Sequence, residues 1–108
     1  MPDQMTAATI RALGLSATDT AETIITAIAA REPEVRAWAW FDAEALRAQA
    51  AALDARPERG PLHGVPVGVK DVINTRDMPT QHNSPRYAGS RPGVDAACVD
   101  TLRQAGAL

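Results

Sequence analysis

Lysine, cysteine and aromatic residues are all scarce in this chain of 108 residues. Lys70 is the only lysine, and the other strongly basic residues are all arginine. Cys98 is the only cysteine, which excludes an internal disulfide and is typical of a reducing compartment. Aromatic residues make up 4% of the chain, so the core must rely on alanine, which removes little area from water on burial. We therefore expect a thin core, and one domain or part of one.

The net charge is small, with a formal value of −2, and no long run of one sign occurs. That pattern argues against a nucleic-acid partner, which would require a basic surface. No apolar stretch is long enough to span a membrane, and the first residues lack the charged and apolar regions of a signal peptide. We therefore expect a cytoplasmic protein without membrane contact.

Residues 1–56 have the periodicity of helices and form the first of two predicted parts. A short helix is predicted over residues 6–13, stopped by Gly14. Ser16 is typical of the N-cap of a second helix. That helix should end near Arg31, because the residue before Pro33 is pushed out of the α region.

A third helix is predicted to follow Asp42, which can cap it. Its apolar residues share one face: Ala43, Leu46, Ala50 and Leu53. Trp38 and Trp40 precede it in a predicted extended connection and lie two residues apart, so they should share one side. Core packing, or contact with a further domain, is the simplest interpretation of this pair.

Residues 57–108 form the second predicted part and differ from the first in composition and in hydrophobic pattern. Val65, Val67 and Val69 alternate with Pro66 and Gly68, which predicts a strand of period two, at an edge or irregular because of the proline. Residues 74–93 are rich in turn-forming types, and a loop of that length is typical of a functional site.

A last helix is predicted from about Asp95, as its cap, with Gly106 as a stop signal. Its apolar face would hold Cys98, Val99, Leu102 and Ala105, which makes the thiol inert packing rather than a nucleophile. Because one strand cannot form a sheet, we interpret the sequence as an α/β protein truncated before most of its sheet.

Lys70, at the end of the predicted strand, is the candidate catalytic residue. A lysine in that position is most often a solvated surface charge. An apolar wall of nearby valines would instead desolvate it and favour a neutral amine that acts as a base. Asp71 could oppose this by favouring the charged form, unless its carboxylate points away.

Other motifs near Lys70 have simpler explanations. The glycine-rich run before it has the wrong spacing for a phosphate-binding loop, and Asp71 stands where such a loop needs serine or threonine. His63 and His82 lack the spacing of metal ligands and are predicted to be loop or turn residues. We therefore predict neither a metal nor a cofactor.

Residues 62–71 read Leu-His-Gly-Val-Pro-Val-Gly-Val-Lys-Asp and resemble the LHGxPxxxKD element of the amidase signature family. The segment 102–107, Leu-Arg-Gln-Ala-Gly-Ala, is similar to that family's LRxAGA element. Asn83 departs from the pattern, since many members have glycine there, but asparagine tolerates positive φ. Shorter similarities lie between the two elements: Met78-Pro79-Thr80, Ser84-Pro85, Tyr87-Ala88-Gly89 and Asp95-Ala96-Ala97.

The resemblance implies the N-terminal part of the amidase signature fold, in which helices surround a mixed sheet. It implies hydrolysis of a small-molecule amide by a Ser-cisSer-Lys triad, with Lys70 as the lysine. The three serines here, Ser16, Ser84 and Ser90, lie outside the glycine- and serine-rich segments that carry the family's serine pair. The chain alone is therefore expected to be inactive.

Two alternatives stay open. The same lysine element occurs in the glutaminase subunit of tRNA-dependent amidotransferases. From a different class, residues 1–56 could be a non-catalytic helical module that packs against a partner protein. A homo-oligomer is a further possibility for the full-length protein, and the substrate pocket would come mostly from residues outside this chain.

Overall fold

The computed structural model describes residues 5–108, which contain four α-helices. These are α1 (Ala7–Leu13), α2 (Ala17–Val35), α3 (Ala43–Asp54) and α4 (Ala97–Gln104). A single 3₁₀ turn, Pro85–Tyr87, interrupts the long loop between α3 and α4 in this part of the chain. The predicted helices are present, whereas the predicted strand is not: residues 5–108 contain helices and irregular segments but no assigned β-strand.

The first three helices each begin at a side chain that accepts a backbone hydrogen bond. Thr6 Oγ1 accepts from Thr9 N at 3.1 Å, and Ser16 Oγ accepts from Asp19 N at 3.0 Å. The third cap joins Asp42 Oδ1 to Ala45 N at 3.0 Å. Each cap satisfies a backbone donor that has no partner within the helix, which is why Ser16 and Asp42 could be predicted as starts.

Helix α2 does not end near Arg31, and that prediction is wrong. The helix continues through Pro33 to Val35 and stops at Arg36, which adopts a left-handed conformation with φ of 51°. Proline removes one hydrogen bond from the last turns, but Arg36 N still donates to Glu32 O at 2.9 Å and closes the helix.

Helix α4 also differs from expectation at its start. Its N-cap is Ala96, which has no capping side chain, so Asp95 is not the cap. The Asp95 carboxylate instead accepts from Arg76 N at 2.7 Å and pairs with Arg103. Val99 is buried as predicted, whereas Cys98 is exposed and does not pack against the core.

The core lies between α2 and α3 and is small. Alanine dominates its buried centre, which consists of Ala17, Ala21, Ala50 and Leu53. Leu46 and Leu108 cover it from the sides. Because alanine contributes little buried area, the packing of α2 on α3 needs help from polar contacts that join the two helices to residues after 56.

The central polar contact is the carboxylate of Asp54, the last residue of α3. Its Oδ1 accepts from Ala17 N at 2.8 Å, and its Oδ2 accepts from Thr18 N at 2.9 Å, both in the first turn of α2. Thr18 Oγ1 adds a third bond at 2.7 Å. The negative charge therefore satisfies the free donors at the positive end of α2.

The same carboxylate also holds His63, which is 4% exposed and lies in a turn. Nε2 of His63 lies 2.9 Å from Asp54 Oδ1, and it carries the proton because an ionised carboxylate only accepts. Burial by itself raises the pKa of Asp54, but bonds from Thr18, His63 and Ala17 outweigh it and hold that pKa well below its usual range.

Three glycines allow the backbone of residues 60–64 to approach the helices closely. A Cβ on Gly64, where φ is +71°, would lie 2.9 Å from Ala17 Cα. A Cβ on Gly60 would overlap with Ala105 O, and one on Gly106 would lie 3.1 Å from His63 Cα. The Gly64–Ala17 contact joins the two predicted parts, 1–56 and 57–108, whereas the other two lie within the second part.

The segment predicted as a strand has one feature of a sheet. Leu108 N donates to Val65 O at 2.8 Å, and Val67 N donates to Leu108 O at 2.9 Å. That pair of bonds has the pattern of two parallel chains. The described helices include none that is both long and apolar enough to cross a membrane.

Replacing Asp54 with Asn should destabilise the fold at neutral pH by about 1–3 kcal/mol, since it weakens a helix cap and a buried hydrogen bond. The folded pKa of Asp54 lies below its usual value, so the carboxylate stabilises the fold fully above that usual value. The contribution declines as the pH falls below it.

Urea denaturation of wild type and Asp54→Asn at about pH 7 and about pH 3 checks this, and the gap between their unfolding free energies should shrink at the lower pH. Asp100→Asn, at an exposed carboxylate of α4, is the control and should show no comparable gap. A gap that is the same at both pH values would contradict the role of Asp54.

Gly64→Ala should destabilise the fold by more than Gly89→Ala. Both glycines have nearly the same φ, +71° and +74°, so both substitutions carry the cost of a left-handed alanine, about 1 kcal/mol. Only Gly64 also meets the backbone of α2, which adds about 1–3 kcal/mol of overpacking. Equal urea midpoints for the two variants would refute the close contact.

Candidate active site

Lys70 ends the extended segment that begins after Gly64. Its side chain is exposed, and none of the ion pairs within residues 5–108 includes it. Lys70 O accepts from Ile73 N at 3.0 Å, so its backbone starts a tight turn. The structure thus presents a lysine on a turn, with its amine free of described carboxylates.

The valines before Lys70 do not form an apolar wall around it, and that expectation is wrong. Val67 and Val69 line a cavity of about 60 Å³, together with Met78 and Leu102. In an extended segment, alternate residues point to opposite sides, so these valines face away from Lys70. Residues 5–108 therefore leave the amine in contact with solvent.

The side of the segment that Lys70 shares with Gly68 faces Trp38. A Cβ on Gly68 would lie 3.2 Å from Trp38 Cη2, so the absence of a side chain there makes room for the indole. The centroid of the Trp38 ring lies 6.4 Å from that of Phe41, and Trp38 N donates to the Glu32 carboxylate at 3.1 Å. An aromatic surface therefore adjoins the lysine segment.

Trp40 makes a different contact from Trp38. The guanidinium of Arg91 lies 5.2 Å from the centroid of the Trp40 ring, within the range of a cation–π interaction. Trp38 and Trp40 are 44% and 40% exposed, so neither is a core residue. The alternative expectation, contact with a further domain, stays a prediction.

Asp71 directs its carboxylate away from Lys70 and toward the loop after Thr80. Oδ1 accepts from Gln81 N at 2.8 Å, and Oδ2 accepts from Asn83 N at 3.4 Å. The carbonyl oxygen of Asp71 accepts from His82 N at 3.0 Å. The sequence leaves open whether this carboxylate pairs with the lysine. In the structure it bonds to the loop and makes no ion pair with Lys70.

The other candidate residues lie in loops, as predicted. His82 packs edge-on against Tyr87, with ring centroids 5.2 Å apart, whereas His63 is held by Asp54. Ser84 and Ser90 belong to turns of the long loop, where their backbone N–H groups donate to Gln81 O and Tyr87 O. Within the described part of the chain, no cluster of three or more possible metal ligands occurs.

Arg103 organises the long loop, a role that sequence reasoning missed. Its Nη2 donates to Asp77 Oδ1 at 2.9 Å, and its Nε lies 2.8 Å from Asp95 Oδ2 as an ion-pair contact rather than an aligned hydrogen bond. Gln49 of α3 also donates to Asp77, at 3.1 Å. The position of Arg103 on α4 was visible in the sequence, but its pairing was not, because Asp77 lies 26 residues earlier and Asp95 was interpreted as a helix cap.

Comparisons with known proteins give consistent matches. A sequence profile described as Amidase matches residues 19–108. A glutamyl-tRNA(Gln) amidotransferase subunit of Roseiflexus castenholzii is 42% identical over 97 residues, which cover 87% of this chain and 20% of that protein. A putative amidase of Mycobacterium tuberculosis, AmiD, is 37% identical over 103 residues, which cover 92% of this chain and 22% of that protein.

A solved structure has the same fold over this length. It is described as the inhibitor-bound form of a vestigial protein complex that reveals the evolutionary origins of an s-triazine catabolic enzyme. The TM-score is 0.80 at 30% sequence identity, over 92% of this chain and 23% of that one.

The chain spans about a fifth of the length of the curated relatives it matches, 20% and 22% in the two cases above. The matched residues 19–108 include the lysine segment, the long loop and α4. Sequence profile, relatives and fold all agree with the resemblance carried by residues 62–71 and 102–107. The chain belongs to the amidase family.

Proposed function

We propose that this chain is the N-terminal segment of an amide hydrolase and supplies its proton-accepting lysine, Lys70. The observation that carries the proposal is the isolation of this amine: it stands on a tight turn, and the neighbouring Asp71 carboxylate is occupied by the loop. No described carboxylate therefore competes for this amine with groups that the rest of the enzyme would supply.

In the proposed reaction, a serine outside this chain attacks the carbonyl carbon of a small-molecule amide. A second serine takes the proton of the attacking hydroxyl and passes its own to the neutral amine of Lys70. The amide nitrogen leaves as ammonia or an amine after it has accepted a proton, and water then hydrolyses the acyl-enzyme. Lys70 needs no metal or cofactor for this step.

The exposure of Lys70 sets a condition on this proposal. A lysine in water is protonated at neutral pH, so the amine must be desolvated before it can act as a base. We infer that further residues of the full-length enzyme cover the side of the segment where Trp38 and Gly68 lie. Leu108 makes two hydrogen bonds of the parallel type to residues 65–67. These bonds support a sheet that further residues of the full-length enzyme would complete.

The substrate class has one specific alternative. Several relatives at about 40% identity are subunits of glutamyl-tRNA(Gln) amidotransferases, and they support a glutaminase role as the second candidate. In that case the amide would be a glutamine side chain, and the ammonia would pass to a partner protein. A helical interaction module built from residues 1–56 is less well supported, because the profile match extends over residues 19–108.

Lys70→Arg should be nearly as damaging as Lys70→Ala in the full-length enzyme. Arginine keeps the positive charge but cannot lose its proton near neutral pH. Both variants should lower kcat/KM by about 10²–10⁴-fold, the usual contribution of a positioned acid–base group. The measurement is ammonia release from one amide substrate, with circular dichroism to confirm folding.

Arg86→Ala is the matched control, since it removes an exposed positive charge from the same region of the fold. It should leave kcat/KM within a few-fold of wild type. A Lys70→Arg enzyme that retains most of its activity would show that the lysine acts through charge alone, and it would remove Lys70 from the role of base.

The 108-residue chain by itself should release no ammonia from simple amides. It contributes the base, but a lone lysine provides no covalent route to an acyl-enzyme. The assay compares purified chain with a Lys70→Ala version over a panel of amides. Turnover that disappears with Lys70→Ala would contradict the proposal that the nucleophile lies outside residues 1–108.

A further inference from the structure

Asp71 accepts hydrogen bonds from the backbone N–H groups of three successive residues. Its two carboxylate oxygens accept from Gln81 at 2.8 Å and from Asn83 at 3.4 Å, and its carbonyl oxygen accepts from His82 at 3.0 Å. Bonds from N–H groups to a carboxylate are stronger than those between neutral groups. One residue beside the lysine therefore anchors the whole turn at 81–83.

That turn requires an anchor. His82 and Asn83 both have positive φ, 53° and 51°, a region that side chains other than glycine disfavour. Two successive left-handed residues persist only when surrounding contacts fix them. Besides Asp71, the turn is held by Gln81, whose Oε1 accepts from Gly89 N at 2.8 Å and whose carbonyl accepts from Ser84 N at 2.9 Å.

The backbone of Lys70 is held by a second hydrogen bond, which does not involve Asp71. Lys70 O accepts from Ile73 N at 3.0 Å, so the backbone on both sides of the Lys70–Asp71 peptide is tied. The lysine side chain is long and flexible, so only its starting point can be set by the fold. A displacement of that starting point moves the amine by a similar distance.

We propose that Asp71 is a positioning residue, which fixes the place from which the Lys70 amine reaches the reaction by tying the lysine segment to the left-handed turn at 81–83. This inference rests on the proposed role of Lys70 as the base. It assigns Asp71 a task in the chemical step that does not depend on contact with substrate.

The rival explanation is that Asp71 acts through its charge on the neighbouring amine. The two explanations differ for Asp71→Asn and Asp71→Ala. Both variants remove the charge, but asparagine keeps an oxygen that can accept from Gln81 N at the place of the 2.8 Å bond. Positioning therefore predicts that Asn is much milder than Ala, whereas a charge effect predicts that they are equal.

The test measures kcat, KM and backbone amide exchange at residues 81–83 in the full-length enzyme. In Asp71→Ala, kcat should fall by about 10²-fold with KM nearly unchanged, because misplacing a catalytic group affects the chemical step. In Asp71→Asn the loss should stay below about tenfold. Exchange at Gln81 and Asn83 should accelerate in the Ala variant, and only at Asn83 in the Asn variant.

Asp100→Asn is the matched control, because its carboxylate is exposed on α4 and accepts from Gln104 within the same helical face. It should change neither kcat nor exchange at the turn. Equal kcat losses in the two Asp71 variants would overturn the proposal in favour of a charge effect. Wild-type kcat in Asp71→Ala would overturn both explanations. If the Ala variant does not fold, the Asn variant still tests the proposal. A kcat loss below about tenfold, with faster exchange at Asn83 alone, supports it, and a larger loss overturns it.

Lys70→Ala separates this inference from the proposed function. If Lys70→Ala keeps wild-type kcat, the lysine is not the base, and the catalytic role of Asp71 falls with it even where exchange confirms the anchored turn. If Lys70→Ala is inactive while Asp71→Ala is as active as wild type, the proposed function stands and the inference about Asp71 alone is overturned.

Discussion

The carboxylate of Asp54 is the contact on which the rest of this structure depends. It ends α3, accepts from the first turn of α2 and holds the buried His63. An alanine-rich interface between α2 and α3 provides little hydrophobic stabilisation of its own. The ionised carboxylate compensates by joining three segments at one point, and it thereby connects the helical half of the chain to the lysine segment.

Glycines set how closely the backbone around His63 approaches the neighbouring segments. Gly64 lies against Ala17 without room for a Cβ, and a Cβ on Gly106 would crowd the backbone of His63. The extended segment that follows must then leave the helices in one direction, with Val67 and Val69 over a small apolar cavity. Lys70 emerges on the opposite side. The geometry of the site is thus a consequence of packing between backbones, far from the amine itself.

Local features of the sequence predicted local structure well. Ser16 and Asp42 are caps because a cap needs only a side chain and a backbone N–H three residues away. Long-range pairs escaped prediction: Asp95 looks like a cap, yet Arg103 and the backbone of Arg76 occupy it. The end of α2 escaped as well, since the left-handed Arg36, whose N–H bonds to Glu32 O, closes the helix beyond Pro33.

The resemblance located the candidate lysine, but not its surroundings. Alternation along residues 65–70 was visible in the sequence, and it places the valines away from Lys70, whereas the expected apolar wall needs them beside it. The direction of the Asp71 carboxylate could not be read from adjacency in the chain. It is set by a turn at residues 81–83, ten to twelve positions away, whose left-handed backbone exposes three N–H groups together.

The role of Lys70 as the base is tested most directly by replacing its amine with one of different acidity. Lys70→Cys, in a full-length enzyme without other reactive thiols and thus without Cys98, can be alkylated to a thioether analogue of lysine. Its amine is more acidic than that of lysine but has nearly the same length. If Lys70 is the base, alkylation restores activity and moves the acid limb of the pH–rate profile to lower pH. Activity that returns with an unchanged profile, or does not return at all, would contradict the account.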